Sequence, residues 1–262
     1  MEASKPEREA ATATEMNGGE EDRNTKSSVQ MQTKINLMRL LLQKRDPTAA
    51  KEVDDMTIRR FLRARDLDMT KASDLLLKYL KWKKEFMPQG FISKSEITYE
   101  LSQNKAFMQG TDKTGRPLVV IFGGRHIPTK GKEGVEEFKR MMAYCLDKIC
   151  GSMSDGHEKF VCIVDMEGWG YSTCDITGYV AGLSILQDCY PERLGKLYMV
   201  HVPYIFMAAW KIIYPFIDDN TRKKIVFVEN KNLKQTLEQD IHEEHIPDIY
   251  GGELPLVPIQ NY

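Results

Sequence analysis

The chain has almost no net charge, no long apolar run and no paired-cysteine motif, and each shortage removes a class of function. Its 262 residues carry 37 Lys+Arg against 38 Asp+Glu, a formal net charge of -1. Without a global positive field, counterion release gives nucleic-acid binding no electrostatic start, so no nucleic-acid partner is expected. The longest unbroken apolar stretch is the six residues Ile205 to Trp210, far below the ~20 residues of a membrane-spanning helix. No apolar leader core stands near the N-terminus, and the expected location is cytoplasmic. The five cysteines, Cys145, Cys150, Cys162, Cys174 and Cys189, are odd in number and form no C-x-x-C. They read as reduced residues of an apolar interior.

What is present fits an ordinary globular chain, 42% hydrophobic and 29% charged. At this length roughly three quarters of the unfolded surface can be buried, so neither disulfide nor metal is needed to hold a core. Residues 1–30 contain no Leu, Ile or aromatic residue and are expected to be a disordered tail. From Met31 the spacing turns helical, with Ile35, Met38, Leu41 and Leu42 on one face before Asp46-Pro47. Further helices carry Ile58, Phe61 and Leu62, then Ala72, Leu75, Leu76, Tyr79 and Leu80. Residues 31–90 thus predict a small all-α domain. Residues 91–255 predict a second domain, and 256–262 a C-terminal tail.

In the second domain a hairpin is expected from Ala106–Gln109 and Leu118–Phe122 around Asp112-Lys113-Thr114-Gly115. Apolar strands then alternate with helices: Phe160–Val164, Leu197–Val202 and Ile225–Val228 between helices at Val135–Ile149, Ile176–Cys189 and Ile205–Ile213, with a last helix carrying Leu233, Leu237 and Ile241. Strands apolar on both faces argue for a buried sheet. The fold class is therefore α/β, a mixed and largely parallel sheet covered by helices, preceded by a small helical domain.

Several clusters resemble reactive sites without completing one. Gly110-x-x-x-x-Gly115-Arg116-Pro117 lacks the Lys and Ser/Thr of a phosphate loop and leads into a strand, so it reads as a turn. His242-Glu243-Glu244-His245 spaces its histidines three apart instead of four and reads as a solvated helix end. Asp165 and Glu167 follow a strand end, where α/β enzymes keep carboxylates, yet no nucleophile motif accompanies them. A soluble enzyme using that pair is one rival reading. His126 and His201 read as structural residues, and no metal site is predicted.

A different signal comes from Tyr190-Pro191-Glu192-Arg193-Leu194-Gly195-Lys196, Pro215-Phe216-Ile217-Asp218 with Thr221-Arg222-Lys223-Lys224-Ile225, and Ile246-Pro247-x-x-Tyr250-Gly251-Gly252. With Ile58-Arg59-Arg60-Phe61-Leu62-Arg63-Ala64-Arg65 and Asp112-Lys113-Thr114-Gly115-Arg116-Pro117 upstream, the chain resembles the CRAL-TRIO lipid-binding proteins. The similarity is greatest to the phosphatidylinositol transfer proteins of fungi and plants, and it runs from about Asp54 to Gly252.

That resemblance implies a non-enzymatic lipid carrier without a cofactor, its acyl tails in an apolar pocket closed by a helical gate. Carried over by position, the headgroup contacts are Arg65, Glu192, Thr221 and Lys224, with Arg193 adjacent and Asp112 also a candidate. The gate is the segment from about Tyr204 through Phe216, whose Phe206, Trp210, Ile213 and Phe216 are expected to touch the membrane. Where two-lipid members place hydroxyls for a choline headgroup, the aligned residues are Met108, Val119 and Phe160, so phosphatidylcholine is in doubt. Moving about thirty methylenes into water costs roughly 24 kcal/mol at ~0.8 kcal/mol each, so the lipid must be exchanged at a membrane surface. The expected partners are a phospholipid and a transient membrane surface, with a lipid kinase or another trafficking protein as a candidate, and the chain is expected to be monomeric. Rival readings are a carrier of a sterol or isoprenoid and a lipid-sensing regulatory module.

Overall fold

The computed structural model describes residues 27–262. These fall into two units, one running through Leu80 and the other spanning Lys81–Tyr262. The division lies inside a continuous helix, ten residues before the boundary expected at 90/91, because the helical pattern of the first unit does not stop where its packing does.

In the first unit α1 covers 27–45, α2 Pro47–Glu52 and α3 Asp55–Arg63, and α4, Met69–Phe86, begins. α1 starts four residues before the expected Met31, so 27–30 are helical; the rest of the expected tail, 1–26, lies outside the described residues. Asp54 caps α3 by accepting the Thr57 N–H at 2.6 Å. Ile35, Met38, Leu42, Ile58, Phe61, Leu62 and Leu76 meet in one apolar cluster, each from the stripe its periodicity predicts. Arg39 ties α1 to the α2–α3 connection through Asp55 at 2.6 Å and the Ala50 and Val53 carbonyls.

The second unit contains α5 (Thr98–Ser102), β1 (Ala106–Thr111), β2 (Pro117–Phe122), α6 (Lys132–Gly151), β3 (Phe160–Asp165), α7 (Ile176–Asp188) and β4 (Leu194–Val200). It continues with α8 (Phe206–Ile213), α9 (Asp219–Arg222), β5 (Ile225–Phe227), α10 (Leu233–Glu238) and β6 (Val257–Pro258). The sheet order is β5-β4-β3-β2-β1-β6. β2 to β5 run parallel, while β1 is antiparallel to both neighbours. The expected 256–262 tail is instead the edge of the sheet, Phe107 pairing with Pro258 and Met108 with Val257. Two residues ending in proline carry no strand periodicity, and only the exposed edge of β1 orders them.

Strand alternation gives the sheet two unlike faces. On one, Leu118, Val120, Val161, Ile163, Tyr198 and Val200 pack solidly against Leu237, Ile241, Ile246 and Tyr250 of the C-terminal segment. The other face looks toward α6, α7 and α8, and there the packing is incomplete.

Candidate functional site

The incomplete face is floored by two cross-strand rows in register. Val119, Cys162, Leu197 and Ile225 form one, and Ala106, Ile121, Val164 and Met199 the other. Phe138, Met142 and Leu146 of α6, Leu183 and Leu186 of α7, and Phe206, Trp210 and Ile213 of α8 enclose the space above them. The result is an apolar cavity of about 300 Å³, within the ~300–1,000 Å³ range of ligand sites. Its size follows partly from Gly182, whose missing side chain faces Phe138 and Met142. Val119 and Phe160 both line it, so no hydroxyl stands at those two positions.

Thr221 marks one polar end of the cavity. One turn later Lys224 precedes β5; Glu192 and Lys159 precede β4 and β3, at the same end of the sheet. Glu192 sits between the two ammonium groups, Oε2 at 3.3 Å from Lys159 Nζ and Oε1 at 3.9 Å from Lys224 Nζ. Its backbone is left-handed, φ 61°, a conformation that costs a non-glycine residue about 1–3 kcal/mol. The Lys224 side chain is only 19% exposed, and Glu192 at 3.9 Å is the nearest carboxylate. Burial pushes its pKa down, opposed by Glu192 and reinforced by Lys159. Burial would raise the Asp218 carboxyl, but the Thr221 hydroxyl, the Thr221 and Asn220 N–H groups and Lys224 together lower it.

The opposite end carries a buried ionic network. Lys105 donates to Glu100, to Gln103 at 2.8 Å and to His126 Nδ1 at 2.6 Å, and His126 Nε2 meets Asp175 at 3.2 Å. Asp175 also caps α7 through the Gly178 N–H at 2.8 Å. Burial raises Glu100 and lowers Lys105, their mutual attraction opposing both. His126 is lowered by burial and by Lys105, against the pull of Asp175.

Asp165 points away from the cavity, among the residues of the solid face. One oxygen accepts from His201 Nδ1 and the Glu167 N–H, both at 2.9 Å, and the other from the Tyr250 hydroxyl at 2.8 Å. Asp165, Glu167 and His201 bring ligand-type atoms within 4.8 Å of one another. With both Asp165 oxygens occupied, the cluster works as a latch between the sheet and the C-terminal segment.

A cavity with apolar walls, a charged edge and a helical cover is the arrangement the resemblance implies, and comparison with known proteins decides the family. The CRAL/TRIO domain matches residues 101–252, more than half of the chain. The chain belongs to the CRAL/TRIO family. It is 30% identical over 236 residues to the Sec14 cytosolic factor of Schizosaccharomyces pombe, covering 84% of this chain and 82% of that protein. It is also 30% identical over 212 residues to Protein real-time of Drosophila pseudoobscura, covering 75% of this chain but only 32% of that longer protein. Among solved structures, that of Sfh5 superimposes with a TM-score of 0.62 at 21% identity, over 78% of this chain and 84% of that one. The family is one of lipid-binding and lipid-transfer proteins.

Within this CRAL/TRIO unit some residues of the resemblance motifs lie beside the cavity and others are engaged by the fold. Asp112 is 3% exposed and fully engaged: it accepts from the Thr114 N–H and hydroxyl and from the Arg116 backbone and guanidinium. It shapes the hairpin and holds Arg116, whose guanidinium lies over Gly195 where a Cβ would sit 2.8 Å away. Arg193 is likewise engaged by the fold, donating to the Glu158 carbonyl at 3.1 Å. The resemblance had carried both to the headgroup, Arg193 as the neighbour of Glu192 and Asp112 as a further candidate. Thr221, expected as a headgroup contact, lines the cavity, and its hydroxyl donates to Asp218 at 2.6 Å. Arg65 belongs to the first unit, where its guanidinium donates to the Ala64 carbonyl at 2.8 Å.

The segment expected to form the gate is seen with most of its named residues turned inward. Phe206, Trp210 and Ile213 face the cavity, and of the four residues expected at the membrane only Phe216 is exposed. The outward apolar surface is Tyr204, 92% exposed, with Ile205, Met207 and Ile212. A helix apolar all round leaves its periodicity without a preferred face. Gln187 of α7 clamps the far end of the segment, donating to the Phe216 carbonyl at 3.0 Å and accepting the Asp218 N–H at 2.8 Å. Lys159 escaped sequence reading altogether; its signal is that it immediately precedes β3, the first of three consecutive parallel strands whose next two members are preceded by Glu192 and Lys224.

Proposed function

We propose that this CRAL/TRIO protein binds phosphatidylinositol and exchanges or presents it at membrane surfaces. The observation that carries the reading is Lys224, an enclosed ammonium one turn from the wall of an apolar cavity and 3.9 Å from its nearest acid, Glu192. An enclosed ammonium is costly until it meets an anionic acceptor, and a phosphodiester supplies one. Glu192 then accepts hydrogen bonds from inositol hydroxyls, and the acyl tails occupy the cavity. Chemistry on a soluble substrate has less support, because Asp165 is committed to His201 and Tyr250 on the other face of the sheet.

In this reading the protein is a cytoplasmic monomer without a cofactor, peripheral and transient at membranes. The outward residues Tyr204, Ile205 and Ile212 dip into the interface as α8 swings open. Among the described residues no helix is long and apolar enough to cross a membrane. The test is mass spectrometry of lipid extracted from purified protein, followed by uptake from vesicles. Phosphatidylinositol in the extract, lost in E192A and K224A, is the expected result. Only sterol or isoprenoid in the extract, with both variants loading normally, would overturn the assignment.

A further inference from the structure

The three-residue cluster at this end of the sheet contains one cation more than a phosphodiester clamp requires. Lys159 and Lys224 both address Glu192, and they address it unequally: 3.3 Å to Oε2 against 3.9 Å to Oε1. The nearer cation holds the carboxylate. The farther one keeps its donors, and it is the more enclosed of the two, 19% exposed against 39%. A lysine has three donors and no acceptor, so an enclosed Lys224 released from Glu192 is a strong anion site.

Together the three side chains carry a formal charge of +1, which a single phosphodiester neutralises. Were Lys159 absent, Glu192 would be free to close the remaining gap to Lys224. The pair would then be internally neutral, with its best donor occupied. Glu192 stands between the two cations on a left-handed backbone, φ 61°.

We propose that Lys159 is a positioning residue of the headgroup site: by holding Glu192 it keeps the donors of Lys224 open for the phosphodiester of an inositol lipid. The proposal rests on the phosphatidylinositol reading above and adds a residue and a competition to it. It also fixes a pH signature. The charged groups facing Lys224 are Glu192 from the start of β4, Lys159 from the start of β3 and Asp218 from the cap of α9. Lys159 and burial lower Lys224, while Glu192 and Asp218 raise it. Binding that needs a charged Lys224 therefore fails at alkaline pH, and removing Lys159 moves that failure upward.

The experiment measures uptake of phosphatidylinositol from phosphatidylcholine vesicles across neutral and alkaline pH by wild type, K159A, K159R, E192Q and the K159A/E192Q double variant. Thermal melts establish that each variant is folded. K159A is expected to lose roughly fivefold in uptake, the scale of one partly exposed ion pair, and to shift its alkaline limb to higher pH. K159R restores both. In the E192Q background K159A costs nothing further, because there is no carboxylate left to hold. An equal loss in that background, or a K159A variant with wild-type uptake and an unmoved limb, overturns the positioning role. A soluble arm separates lipid from free phosphate: glycerophosphoinositol in excess should compete for uptake, and competition by inorganic phosphate alone at the same concentration would count against recognition of the lipid headgroup. If wild type takes up no phosphatidylinositol at any pH, the function reading fails first and this proposal with it. If wild type loads normally and only the K159A results fail, the function reading stands without it.

Discussion

Replacing Lys224 by methionine separates what the Glu192–Lys224 cluster does for the proposed ligand from what it does for the fold. The two side chains are similar in length and unbranched, so the exchange removes charge and donors with little change of volume. A charge-assisted hydrogen bond contributes about 1.5–3 kcal/mol, so K224M should weaken phosphatidylinositol binding by roughly ten- to 150-fold at 1.4 kcal/mol per decade. Stability should move little or rise. The ion pair lost is the long 3.9 Å approach to Glu192, and the desolvation of an enclosed ammonium disappears with it. A gain of up to ~1 kcal/mol corresponds to a melting temperature about 3 °C higher in a chain of this size.

The pH dependence follows the same logic. Folding lowers the Lys224 pKa from 10.5, so between the folded value and 10.5 the unfolded chain binds more protons. Stability of the empty protein therefore rises with pH across that window, and K224M removes the contribution. Lipid extraction, vesicle uptake and thermal melts as a function of pH check these expectations. Retention of phosphatidylinositol binding within about twofold, or a loss of more than ~2 kcal/mol in stability, would show Lys224 to be a structural partner of Glu192 and refute the reasoning.

Four further outcomes are expected. Serine at Tyr204, Ile212 and Phe216 should reduce vesicle co-sedimentation while leaving the melting temperature nearly unchanged, whereas F206A should cost about 3–5 kcal/mol as a cavity-wall deletion. Because His126 titrates below its ordinary 6.5 in the fold, its contribution is whole above 6.5 and is lost as pH falls through the lowered value; H126Q should flatten the acid side of a stability–pH curve. Burial pushes the Cys145 and Cys162 thiols up to about 12, so a maleimide should label them in denaturant and not in the native protein. D112A should destabilise the protein by about 1–3 kcal/mol through loss of the hairpin and Arg116 contacts, with phosphatidylinositol selectivity intact; calorimetry paired with lipid extraction distinguishes the two effects.

Much of the architecture is legible in the residues because it rests on local rules. Continuous apolar runs such as Phe160–Val164 mark strands buried on both faces, and the spacing of Ile58, Phe61 and Leu62 marks a helix stripe. The motifs that carry the family resemblance are legible too, yet several serve the fold. Asp112, Gly195 and Tyr250 stand in those motifs, and here they form the hairpin clamp, the seat for Arg116 and the latch to Asp165. A motif records that a residue is required without recording for what.

Strand period, helix period, turn chemistry and the polarity of each segment are properties of neighbours along the chain, and from them the α/β class, the order of elements and an apolar cover over the sheet could all be read. Three things depended on which distant segments meet: that one sheet face is filled and the other hollow, that Phe206, Trp210 and Ile213 turn inward while Tyr204 turns out, and that Lys159, Glu192 and Lys224 share one end of the sheet. These residues lie more than thirty positions apart and precede three parallel strands, whose starts are brought side by side only once the sheet has ordered them. Pairing free energy is collected across the sheet and not along the chain, so no local period could announce that cluster.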